Sequence, residues 1–147
     1  MAKLHPVVES VYRKLGGRSV LGEDVVSDAD LARLVNRRIP LRVLTCIKRI
    51  GFSDQEIWRY IIPARTQRHR RARKERLTVE ESDRLVRLTR IQALTEDVLG
   101  DAEKANRWLR EALRILDDKT PLDVAQTDSG ARVVEQILAK IDWGAAA

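Results

Sequence analysis

The chain has 147 residues, 44% hydrophobic and only 4% aromatic, with 28 Lys and Arg against 22 Asp and Glu for a net charge of +6. That length fits one domain, or a small domain with an attached module, around an aliphatic core. A single cysteine excludes an internal disulfide framework, no apolar run approaches the roughly 20 residues of a membrane span, and two His and one Cys far apart give no metal-ligand spacing.

Leu, Ile, Val, Ala, Arg and Glu dominate while Gly and Pro are few, so helices are expected throughout. Residues 4–15 place Leu4, Val7, Val8, Val11 and Leu15 on one helical face, and Gly16-Gly17 stops them. Residues 18–26 read as a connector. Ser27 and Asp30 fit a capping box before a short helix carrying Leu31, Leu34 and Val35. Pro40 suits the start of the next helix, over residues 41–50, where Leu44, Ile47 and Ile50 share a face. Cys46 lies in that segment and is expected as a small core residue. Ser53 and Glu56 form a second capping box, opening a helix with Ile57, Trp58 and Ile61. Trp58 is expected in the core. A residue before proline is pushed out of the helical region, so Ile62, ahead of Pro63, is the expected turn.

The stretch that follows, RTQRHRRARKER over residues 65–76, holds six Arg, one Lys and one Glu. Its +6 equals the charge of the whole chain, so the remaining residues cancel to zero. Concentrated charge of this kind is the electrostatic footprint of a phosphate-binding surface. Two short helices, a tight turn and a third segment rich in Arg, Thr and Gln follow the order of a helix-turn-helix, whose last helix enters the major groove. Arg65, Thr66, Gln67 and Arg68 would then reach base edges, since Arg pairs with guanine and Gln with adenine. Arg70, Arg71, Arg73, Lys74 and Arg76 would contact phosphates, with His69 as a further donor.

Thr78 and Glu81 make a third capping box, opening the longest helix, over residues 79–99. Leu85, Leu88, Ile91, Leu94, Val98 and Leu99 line one side of it. Gly100 ends it and Asp101 caps the next helix, whose Ala105, Trp108, Leu109, Ala112 and Leu113 follow a helical stripe. Trp108 and Leu109 are expected in the core. Asp117-Asp118 lie in a loop before Thr120-Pro121, a helix start. Asp128 or Ser129 caps a last helix with Val134, Ile137, Leu138 and Ile141 in register. Trp143 comes after the last periodic residue, and an exposed terminal aromatic is suited to protein contact. No nucleophile and base pair is suggested by spacing, and no Gly-rich loop cradles a phosphate. A protein without catalytic activity or cofactor is therefore expected. No charged segment followed by an apolar run marks a signal peptide, so the expected compartment is the cytoplasm.

The second half resembles a known family. ESDRLVRLTRIQ, then Val98-Leu99-Gly100-Asp101, then EKANRWL, Thr120-Pro121-Leu122-Asp123, Thr127-Asp128-Ser129-Gly130-Ala131, and Val134, Leu138, Ile141 and Gly144 stand in an order similar to the toxin-binding domain of Xre/MbcA/ParS-type antitoxins. The likeness spans about residues 77–144, and an Xre-like helix-turn-helix head fits residues 41–76. Two positions depart from the family pattern. Asp117-Asp118 stands where a pair is often Gly-Gly, and Arg38 stands where a Gly commonly precedes the Ile-Pro step.

The resemblance implies an all-α protein: a helical extension over 1–40, a helix-turn-helix head over 41–77, and a helical toxin-binding domain over 78–147, joined through the long helix. It implies an antitoxin whose partner is a toxin of the RES-domain or related ADP-ribosyltransferase-like class, which uses NAD. The C-terminal part would cover the toxin's NAD pocket, with Trp143, Gly144, Ala145, Ala146 and Ala147 as the plug and Arg132 and Lys140 as flanking contacts. The head would bind the operon's own double-stranded promoter DNA and repress it, as a homodimer. The alternative is a stand-alone helix-turn-helix regulator without a toxin, its C-terminal half serving dimerisation.

Overall fold

A computed structural model describes residues 6–146 of the chain, so the expectations placed on Leu4 and Ala147 fall outside the described residues. The elements are α1 Pro6–Lys14, α2 Gly17–Leu21, α3 Asp28–Asn36, α4 Val43–Arg49, α5 Asp54–Tyr60, α6 Ala64–Arg73, α7 Val79–Leu99, α8 Ala102–Trp108, a 3-10 turn Arg114–Leu116, α9 Pro121–Val124 and α10 Asp128–Ala146. Among the described residues there is no strand; Leu113 and Lys119 pair as an isolated antiparallel bridge. The chain is all-α and divides into two compact units, Met1–Thr89 and Arg90–Ala147.

In the first unit the expected apolar stripes are buried: Val7, Val8 and Val11 of α1 with Leu15 just after it, Leu31 and Leu34 of α3, and Leu44 and Ile47 of α4. The connector expected over residues 18–26 instead contains α2. Gly16 makes this possible, because at φ 100° it turns the chain where a Cβ would lie 2.4 Å from Val20 Cγ2. Cys46 is half-buried rather than a core residue. Ser27 Oγ accepts from the Asp30 amide at 3.1 Å, but Asp30 reaches back to the Val26 amide at 3.0 Å, one residue earlier than a capping box requires. That backbone hydrogen bond, followed by the Arg33 guanidinium, holds the Asp30 carboxyl below the usual carboxylate range. The Ser53/Glu56 box is complete and reciprocal.

A clasp closes the base of the helix-turn-helix segment. Arg38 takes a left-handed φ of 65°. Its Nε donates to the Leu77 carbonyl at 2.9 Å and its Nη2 to the Arg76 carbonyl at 3.1 Å. Arg76 Nη1 returns a bond to the Arg38 carbonyl at 3.0 Å, and the Leu77 amide donates to the Ile39 carbonyl at 3.0 Å. The Ile39 amide in turn donates to the buried Ser82 Oγ at 3.0 Å. Buried backbone groups need such partners, and here they join the segment before α4 to the one between α6 and α7.

In the second unit, Asp101 caps α8 through the Lys104 amide at 2.8 Å. The stripe expected through Ala112 and Leu113 is cut short, because the helix ends at Trp108. The Leu109 carbonyl accepts from the Leu122 amide at 3.1 Å, and the Leu113–Lys119 bridge folds the following residues into a closed loop. Ala112 is exposed; Trp108 and Leu113 are half-buried, and Leu109 is buried. Asp117 and Asp118 are both left-handed, with φ 56° and 61°. Thr120 caps α9, with Pro121 in its first turn. Gly130, in the first turn of α10, lies so close to α9 that a Cβ there would be 1.8 Å from the Val124 carbonyl oxygen. Ala131, Val134 and Leu138 are the buried side of α10, and Arg90 of α7 meets Glu135 of α10 at 3.5 Å.

Candidate nucleic-acid interface

The turn before α6 contains no glycine and requires none. Ile61 ends α5 at φ −117°, on the ordinary side of the Ramachandran map, and Pro63 leads extended into α6. Ile61 and Ile62 are both buried and anchor the turn by their side chains, while Arg84 Nη2 donates to the Ile61 carbonyl at 2.8 Å.

α6 itself buries none of its residues. A helix polar all round must be held by something other than an apolar stripe. Two contacts do this. Trp58 Nε1 of α5 donates to Gln67 Oε1 at 2.8 Å. Arg70 pairs with Glu81 of α7 through both carboxylate oxygens, and the two side chains are only 14% and 8% exposed. Glu81 also completes the expected capping box, its Oε1 accepting from the Thr78 amide at 2.8 Å while its own amide donates to Thr78 Oγ1 at 3.1 Å. Burial pushes the Glu81 carboxyl up, but the Arg70 and Thr78 hydrogen bonds outweigh it and hold the carboxyl below the usual range.

The expected DNA-contacting residues separate onto two faces. Arg65, Arg68, His69, Ala72 and Arg73 recur at three- and four-residue spacing and line one open groove. Gln67, Arg70, Arg71 and Lys74 face the opposite way and line a cavity of about 720 Å³ against α4 and α5. Thr66 is half-buried between them. Arg70, expected as a phosphate contact, has its guanidinium paired with Glu81. Arg76 is likewise committed to the clasp. Trp58, expected in the core, is 40% exposed and serves instead as the support of Gln67. The signal for this was available only as a tryptophan beside polar neighbours, which an apolar stripe explains equally well.

At the other end of the chain, α10 continues helically through Trp143 and Gly144 to Ala146. Arg132, Gln136, Lys140 and Trp143 are all exposed and fall on one face at i, i+4, i+8 and i+11. Trp143 is 80% exposed, and Arg132 forms a surface pair with Asp128 at 3.2 Å. The backbone of Ala145 and Ala146 extends the helix, and Ala147 lies outside the described residues. Among the described residues no group of His, Cys, Asp and Glu could hold a metal, and no helix is long and apolar enough to cross a membrane.

Comparison with known proteins adds two family matches. An antitoxin Xre-like helix-turn-helix domain matches residues 30–90, and an antitoxin Xre/MbcA/ParS C-terminal toxin-binding domain matches residues 94–144. Three curated relatives share the name Antitoxin Xre. The one from Pseudomonas putida is 43% identical over 84 residues, 57% of this chain and 53% of the relative. The one from Photorhabdus laumondii is 29% identical over 121 residues, 80% of this chain and 82% of the relative. The one from Yersinia enterocolitica is 31% identical over 84 residues, 56% of this chain and 57% of the relative. The chain thus spans about half the length of the first and third relatives and most of the second.

Proposed function

Because the chain belongs to the Xre/MbcA/ParS-type antitoxin family, we propose that it neutralises a cognate toxin and represses the promoter of its own operon. Residues 78–147 form the toxin-binding part on this reading, residues 41–77 the DNA-binding head and residues 1–40 an extension of it. The toxin is of the NAD-consuming RES type or a related ADP-ribosyltransferase-like class, and the setting is the cytoplasm.

The observation that carries the toxin half is the exposed face of α10 that ends in Trp143. A rigid aromatic with most of its surface in water gains free energy when a partner covers it. The glycine and alanines that follow are narrow enough to enter a cleft shaped for a dinucleotide. Arg132 and Lys140 on the same face supply cations beside it.

The DNA half is supported by the outer face of α6, where Arg65, Arg68 and Arg73 stand exposed with His69 between them. A head of this kind reads two half-sites as a homodimer. Co-expression with the neighbouring toxin gene tests the first half. Removing residues 143–147 should abolish protection while the circular dichroism spectrum stays helical, and undiminished protection would refute the plug. Gel shifts test the second half. Arg65→Ala with Arg68→Ala should abolish binding of the operon's upstream DNA while leaving neutralisation intact.

A further inference from the structure

We propose that the open cavity between α4, α5 and the rear of α6 is a binding site for a small phosphate ester with a planar base, of the nucleoside diphosphate class. The site is independent of the face that reads DNA, so it stands whether or not that reading holds.

Three observations carry this. The first is shape. The hollow is about 720 Å³, within the roughly 300–1,000 Å³ range of small-ligand sites, and every lining residue lies between Pro40 and Arg76.

The second is charge. Six basic and two acidic side chains ring the cavity. Four of the basic ones have protein partners. Lys48 meets Asp54 at 3.1 Å, Arg70 meets Glu81, Arg76 is in the clasp, and Arg42 Nη2 donates to the Ser19 and Val20 carbonyls. Arg71 and Lys74 are exposed, and among the described residues neither side chain pairs with another. Lys48 and Arg70 are offset by their carboxylates, but Arg42 and Arg76 bond only carbonyl oxygens, so with Arg71 and Lys74 they leave the cavity, which Glu75 also lines, with a net positive field for an anion. Lys74 also holds a left-handed φ of 55° as the C-cap of α6, a strained conformation for a lysine that turns the chain back at the cavity rim.

The third is the floor. Pro40 and Leu41 are half-buried beside the buried Leu44 and Ile57. The apolar surface that Pro40 and Leu41 leave open among these cations is of no use to a bare phosphate but accommodates a flat base. Gln67 lines the same cavity while its Oε1 is held by Trp58, so its amide N–H groups remain as donors toward a ligand.

Calorimetric titration of the full chain with ADP, alongside inorganic phosphate, tests the assignment. ADP should bind saturably and phosphate alone much more weakly. Arg71→Ala with Lys74→Ala should weaken ADP by at least about tenfold, as expected for losing charge-assisted hydrogen bonds. Arg65→Ala with Arg68→Ala, on the outer face, should leave ADP binding unchanged. A duplex of the upstream region should not displace bound ADP from the unaltered chain. The proposal is overturned by absent saturation, by phosphate matching ADP, or by displacement with duplex, which would make the cavity part of the DNA track.

Discussion

The Arg70 guanidinium and the Glu81 carboxylate face each other in a two-bond pair that fastens α6 to the first turn of α7. Glu81 has two duties at once, as helix cap and as counter-ion, so stability here depends on its ionisation. Unpairing a buried charge costs roughly 3–5 kcal/mol, and the slight exposure of Arg70 places Arg70→Ala toward the lower end. The folded carboxyl titrates below its unfolded value. The stabilisation is therefore complete above the ordinary glutamate range, near about pH 4.3, and drains away as pH falls through the lower folded value. Urea unfolding at neutral and at acid pH should show this acid loss in the parent chain and a smaller one in Glu81→Gln.

Trp58 and Gln67 form the second fastening, and its consequence is for recognition. Trp58→Phe keeps an aromatic ring but removes the indole donor, freeing the Gln67 amide to rotate. The expected stability loss is small, about 1 kcal/mol for a half-exposed hydrogen bond. Gel shifts with the upstream duplex should still detect binding by this variant, since the outer face of α6 is untouched. In the titrations described above, ADP affinity should fall.

Gly130 is required by distance. A methyl group there would meet the Val124 carbonyl at 1.8 Å, so α9 and α10 must separate. Gly130→Ala should cost at least about 1–3 kcal/mol, as overpacking does. Thermal unfolding followed by circular dichroism should show the loss, and protection against the toxin should weaken with it.

The left-handed residues predict opposite outcomes. Asp117 and Asp118 hold positive φ where glycine would sit without strain. Asp117→Gly and Asp118→Gly should each be neutral or stabilising by up to about 1 kcal/mol. Arg38 is also left-handed, but its side chain donates to the Leu77 and Arg76 carbonyls. Arg38→Gly relieves the backbone and removes the two side-chain bonds of the clasp, so it should be destabilising by about 1–2 kcal/mol net. Chemical denaturation of the three variants distinguishes the two cases.

Much of this fold is written locally. Gly16, Gly100 and the three Ser/Thr-to-Glu or Asp steps mark helix ends through bonds that span three or four residues, and the caps at Ser53, Thr78, Asp101 and Thr120 lie where those residue types imply. The departures of Arg38 and Asp117-Asp118 from a glycine pattern fall on left-handed backbone, the conformation that glycine adopts without strain. What the chain order did not reveal depends on contacts distant in sequence. The stripe through Ala112 and Leu113 is a valid helical period, but the Leu109 carbonyl is claimed by Leu122. The six arginines of residues 65–76 are indistinguishable by charge, yet Glu81 claims Arg70 and the Arg38 carbonyl claims Arg76. Periodicity likewise assigned Trp58 to the interior, because it cannot see that a glutamine of the next helix offers an acceptor at its surface.

No side chain of α6 contributes to the hydrophobic interior. On the proposed reading, mutations along its solvent-facing side can therefore alter which DNA sequence is bound without endangering folding. Under that reading, proteins built on this scaffold are free to diverge in the addresses they recognise through changes at a few exposed positions.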